Sequence, residues 1–144
     1  VIATAEAASV LPDPRLRDKV LYWVSTCLVS AAMVYSIFMF TLNDHFPPWE
    51  PHGPSAFGHL GLPPWFKWEL TLAKVFGVLA LWVPSVPRKL KDLAYAGFGL
   101  TLLSAVIAHT SVGDYHISPI FIADPAAFFC LLLVSYRYAG KLGR

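Results

Sequence analysis

Residues 63–84 read PPWFKWELTLAKVFGVLALWVP. The stretch is apolar enough to enter a bilayer, yet it carries Lys67, Glu69 and Lys74. From Trp65 to Trp82 a helix rises about 25 Å, against a hydrocarbon core of about 30 Å. Lys67 lies close to one end, where a charge reaches the interface. Lys74 falls near the middle, where a lysine costs about 2.5–3.5 kcal/mol on insertion scales. The rest of the chain has to give that ammonium somewhere to point.

The composition sets the same frame. The chain has 144 residues, of which 56 % are hydrophobic and 14 % charged, and a mean hydropathy of +0.56. Soluble domains carry about 25 % charge, so this is the composition of an integral membrane protein. The length suits one membrane domain, residues 1–144, without a second. A net charge of +2 implies no nucleic-acid partner. Cys27 and Cys130 sit in apolar runs without CxxC spacing and read as buried small hydrophobes.

Residues 1–14 are small and polar, end in Pro12-Asp13-Pro14, and read as a peripheral tail without the basic and apolar regions of a signal peptide. Arg15, Arg17 and Lys19 precede the first apolar run, and the first span is expected over about 20–42. Within it Ser25, Val29, Ala32 and Ser36 mark a packing face. Residues 43–64 hold six of the twelve prolines and three of the nine glycines. Proline lacks the amide donor, so this segment cannot span and reads as a proline-rich cap over one mouth of the bundle, with one short interfacial helical turn near 55–60. The second span is expected over about 65–83, opened by Pro63 and Pro64. The third is expected over about 90–110, with Ala94, Gly97, Thr101, Ser104 and Ala108 as its close-packing stripe. Asp124-Pro125 reads as an N-cap followed by proline at the first helical position, which puts the fourth span at about 125–139. The expected fold is therefore all-α, a four-transmembrane-helix bundle.

Nine of the eleven Lys and Arg residues (15, 17, 19, 88, 89, 91, 137, 141 and 144) lie before the first span, between the second and third, or at the end of the fourth. The positive-inside rule puts both termini in the cytoplasm and the two long connections outside. All five histidines lie on or near that outer side.

Lys74 is the sharpest functional signal, because a lysine at bilayer depth needs a partner, a ligand or a route to the interface. Glu69 is five residues earlier, about 140° around the helix, and is not a same-face partner. His109 ends the third span and Asp114 follows five residues on, so the two are candidate neighbours. Depth along the helices makes a polar pocket of Glu69, Lys74, His109, Asp114 and Asp124 feasible. His45, His52 and His59 recur every seven residues, but the intervening prolines remove any common helical face. A two-histidine haem needs ligands on facing helices, and only His109 qualifies, so haem is disfavoured. No metal-ligand spacing stands out.

Four strings carry a likeness: AFGHLGLPPWF (56–66), LAKVFGVLALWVP (72–84), LKDLAYAGFGLTLLSAVIAHTSVGD (90–114) and DPAAFFCLLLVSYRY (124–138). In combination they resemble the DoxX-like family of small membrane proteins, over Leu21 to Tyr138. Lys74, Gly77, Tyr95, Gly97, His109 and Asp114 stand at the positions of the family's pattern. The resemblance implies a four-helix bundle in a bacterial cytoplasmic membrane. Some relatives are associated with thiosulfate:quinone oxidoreduction or with membrane oxidative-stress complexes. The leading expectation is an accessory or scaffold subunit of a larger, bioenergetic membrane complex, without catalytic activity of its own, whose partners are the lipid bilayer and other membrane subunits. The alternative is a quinone-linked oxidoreductase subunit built on Lys74, His109 and Asp114, with a quinone as its cofactor. A small-molecule transporter is the weaker third reading.

Overall fold

A computed structural model describes residues 13–42 and 55–143. The tail up to residue 12 and the core of the proline-rich cap, 43–54, lie outside the described residues. The described chain is all-α. Four long helices, α1 (Pro14–Leu42), α3 (Pro64–Trp82), α4 (Arg88–Ser111) and α5 (Ile120–Lys141), are accompanied by a one-turn helix, α2 (Ala56–His59), and a 3₁₀ turn (Asp114–His116).

The long helices form a ring in which α1 packs on α3, α3 on α4, α4 on α5 and α5 back on α1. Side-chain contacts set every neighbouring pair antiparallel. Trp82 Nε1 donates to Ser30 Oγ at 2.9 Å, while Lys74 Nζ donates to Ser36 Oγ at 2.7 Å. Lys141 reaches Asp18 at 3.6 Å, while Thr26 meets Ser135 at 2.7 Å. This up-down-up-down order gathers Arg15, Arg17, Lys19, Arg88, Lys89, Lys91, Arg137 and Lys141 at one end, the basic end. The other, the histidine end, carries α2 and the 3₁₀ turn.

Three described helices, α1, α4 and α5, are long and apolar enough to cross a membrane. The protein is a multi-pass membrane protein. α3 lies alongside them for roughly 28 Å, but it holds Lys67, Glu69 and Lys74. The core consists of Tyr22, Val29, Met33, Leu81, Tyr95, Phe98, Leu102, Leu132 and Ala139. Large apolar side chains such as Phe38, Phe76, Leu93, Leu100 and Ile107 face outward, as they do where lipid replaces water.

Three readings of the sequence are corrected. The fourth long helix begins at Ile120, so Pro125 lies inside it. The chain has already turned through Gly113, at φ 78°, and the 3₁₀ turn. Pro119 then opens the helix, with Ile122 and Ala123 donating to its carbonyl. The Asp-Pro signal operates at the other end of the chain: Asp13 accepts from the Arg15 amide at 3.0 Å, and Pro14 is the first residue of α1. Cys27 and Cys130 are exposed; a lipid-facing surface is as apolar as a core, so an apolar run does not tell the two apart. On α4 the buried side chains are Lys91, Tyr95, Phe98 and Leu102, and the small-residue stripe lies beside that face. The expected stripe on α1 does pack inward at Ser25 and Val29, with Ala32 and Ser36 half-buried.

Candidate functional site

Besides Ser25, Ser30 and Lys91, the buried polar side chains among the described residues fall into three groups. At the histidine end Asp114 is completely buried. It sits in the 3₁₀ turn because Gly113 takes the left-handed conformation that an L side chain resists. Its Oδ1 accepts from His59 Nε2 at 2.7 Å, and its Oδ2 accepts from His109 Nδ1. One carboxylate therefore ties the short helix α2 to the end of α4. An ionised carboxylate only accepts, so each histidine carries its hydrogen on the nitrogen that faces Asp114. Burial alone would raise the carboxyl pKa. The hydrogen bonds and charge of His109 and His59 outweigh that effect and hold it below the usual carboxylate range. The His109 ring stacks on Phe121 of α5, with centroids 5.5 Å apart, so the group joins three elements.

At mid-depth Lys74 is 4 % exposed. It lies on the inward stripe of α3 with Thr71, Gly77 and Leu81. Its Nζ donates to Ser36 on α1 and lies 4.1 Å from the centroid of the Phe40 ring. Among the described residues no carboxylate comes within ion-pair distance of it. Thr71, one turn away, has a buried hydroxyl without a hydrogen-bond partner among the described residues. Towards the basic end, Ser135 Oγ lies 2.7 Å from Thr26 Oγ1 and 2.8 Å from Tyr95 Oη. This buried chain of hydroxyls joins α1, α4 and α5.

The five residues singled out from the sequence are thus divided. His109 and Asp114 meet. Lys74 faces Ser36 and Phe40, apart from them. Glu69 is exposed on the outer side of α3, and Asp124 is exposed on α5. Sequence reasoning passed over His59, although it stands in the HLG string, because it was weighed with His45 and His52 as a period rather than as a partner for Asp114. Ser36 was legible only as a packing residue and Tyr95 only as a position of the family's pattern, and Phe40, Thr71, Ser135 and Thr26 carried no signal; an inward hydroxyl on a membrane helix has none of its own.

A lateral groove of about 520 Å³ runs between α3 and α4. Ala73, Gly77 and Ala80 line one side, and Ala94, Gly97 and Thr101 the other. The two glycines differ. A Cβ on Gly77 would stand 2.5 Å from Phe98 Cζ, so this glycine lets α4 approach. A Cβ on Gly97 would meet nothing within 4 Å.

The DoxX-like family model matches residues 24–135. The chain belongs to the DoxX-like family. The matched range contains all three polar groups and the groove, so these belong to the family-matched part of the chain. Comparison with curated proteins and with solved structures gives no match.

Proposed function

We propose that this DoxX-like protein is a non-catalytic accessory subunit of a larger membrane complex, and that it docks a transmembrane helix of a partner subunit in the groove between α3 and α4. The bundle crosses the membrane four times as one domain, α3 included, with the basic end and both termini in the cytoplasm. The observation that carries the reading is the groove itself. Its walls carry small residues on both helices, which let helix backbones approach closely in a bilayer, among larger ones such as Phe76, Leu93 and Phe98 and the stem of Lys74. Gly97 leaves its floor open, and the long apolar side chains on either side face outward. The bioenergetic setting rests on the family alone.

A quinone-linked oxidoreductase subunit has less support. That reading needs Lys74, His109 and Asp114 around one ligand, whereas the Lys74 ammonium turns to Ser36 and the other two residues meet His59.

Gly97→Leu fills the groove without touching the core. Purified from native membranes in mild detergent, the wild-type chain should carry stoichiometric partner subunits. The Gly97→Leu variant should retain its melting temperature as an isolated chain and lose those partners. A wild-type chain that purifies alone, or a variant with its full partner set, refutes the proposal.

A further inference from the structure

We propose that Lys74 and Thr71 form a binding site for a small monovalent anion, closed from the histidine end by Phe57. Both side chains are more than nine-tenths buried, and they stand three residues apart on the same face of α3. They lack the same kind of partner. An ammonium has three N–H donors. One goes to Ser36, and the Phe40 ring takes another direction. The Thr71 hydroxyl has no partner among the described residues. Buried polar groups are almost always satisfied, and a lone buried cation is costlier than a lone buried hydroxyl. A carbonyl ligand would accept the hydrogen bonds and leave the charge uncompensated. An anion does both.

The surroundings explain how such a site closes when empty. The electron-rich face of Phe40 lies where a counter-ion would sit, and cation–π attraction is a weaker substitute for one. Phe40 packs edge-on against Phe57, with centroids 4.7 Å apart, and Phe57 in turn packs on Phe66 at 6.4 Å. Phe57 is 4 % exposed and belongs to α2. The same short helix ends in His59, which Asp114 holds. An anion that reaches Lys74 from this end displaces the Phe40 ring and with it Phe57. The single ammonium sets the charge at one, and the tight aromatic packing restricts the ion to the size of a halide or a small carboxylate.

Bromide is the probe. The full chain in zwitterionic-lipid nanodiscs should melt at a higher temperature as sodium bromide replaces sodium gluconate at constant ionic strength, and the rise should saturate. Lys74→Met should abolish the rise. Thr71→Val should weaken bromide roughly tenfold, the worth of one hydrogen bond to a charged group. Ser36→Ala should leave binding intact, because it removes a competing acceptor rather than a ligand. Crystals grown in bromide should show anomalous density between Lys74 and Thr71. Equal responses in wild type and Lys74→Met overturn the proposal. Should that variant fail to fold, an unaltered affinity in Thr71→Val overturns it equally, as does bromine found only at the surface, an adventitious ion only.

Discussion

Asp114 and Lys74 are both buried ionisable side chains in one small bundle, and their surroundings are opposites. Asp114 has two donors aimed at its two oxygens, one from each of two elements. Lys74 has a single hydroxyl and an aromatic face. A buried charge that the fold itself satisfies acts as a joint. A buried charge that the fold leaves partly satisfied has capacity for something else. The first should be expensive to remove and the second cheap, and substitution tests that difference directly.

The largest effect belongs to Asp114→Ala. It removes, at one stroke, the carboxylate that accepts from two half-buried histidines. Breaking such an arrangement from one side costs about 3 kcal/mol. Because Asp114 is what holds α2 against the 3₁₀ turn, the loss should appear as early proteolysis near residues 55–62 and as a lower unfolding midpoint in denaturing detergent. A variant as stable as wild type would mean that the two hydrogen bonds do not hold the histidine end together.

Asp114→Asn is a finer cut of the same joint. The shape is kept, but one of the two accepting oxygens becomes an amide donor facing a histidine N–H. The expected cost at neutral pH is about 1.5 kcal/mol. The sign with pH follows from the lowered carboxyl pKa. A carboxylate whose folded pKa lies below its unfolded value of about 3.9 stabilises the fold above that value, and the contribution is lost as pH falls through the folded pKa. The stability difference between wild type and Asp114→Asn should therefore shrink below about pH 4 as the carboxylate protonates. Chemical unfolding of both proteins across that range measures it. A gap that widens in acid would contradict the assignment.

The contrast also shows what the sequence could convey. The approximate positions of the long helices and the clustering of basic residues follow from hydropathy and charge, which are additive along the chain. The His109–Asp114 pair was visible because only four residues, one of them a glycine, separate its members. His59 is 55 residues from Asp114, and proximity over that separation comes from packing of α2, which no local pattern encodes. The Asp-Pro dipeptide makes the same point on a smaller scale: at 13–14 it starts a helix, and at 124–125 it lies within one, because the turn at Gly113 had already redirected the chain. Lipid-facing and core-facing residues are alike in polarity, so Cys27 and Cys130 could not be placed by composition.

Lys74→Met carries the smallest effect. Removing the lysine relieves an insertion cost of about 2.5–3.5 kcal/mol. It gives up one hydrogen bond from a charged donor, worth about 1.5–3 kcal/mol, and the cation–π contact with Phe40, worth about 0.5–1 kcal/mol. Methionine is unbranched and only one heavy atom shorter, so the cavity it leaves is small. The two sides nearly cancel, so the net expectation is a change within about 1 kcal/mol of zero, read as a melting temperature close to that of wild type in lipid nanodiscs free of halide. A buried charge that adds nothing to the stability of its fold has another use, and a Lys74→Met variant as stable as wild type would put Lys74 in that class. A loss as large as that of Asp114→Ala would instead make the Lys74–Ser36 contact a second joint, holding α3 to α1 as Asp114 holds α2 to α4, and would remove the distinction between the two buried charges.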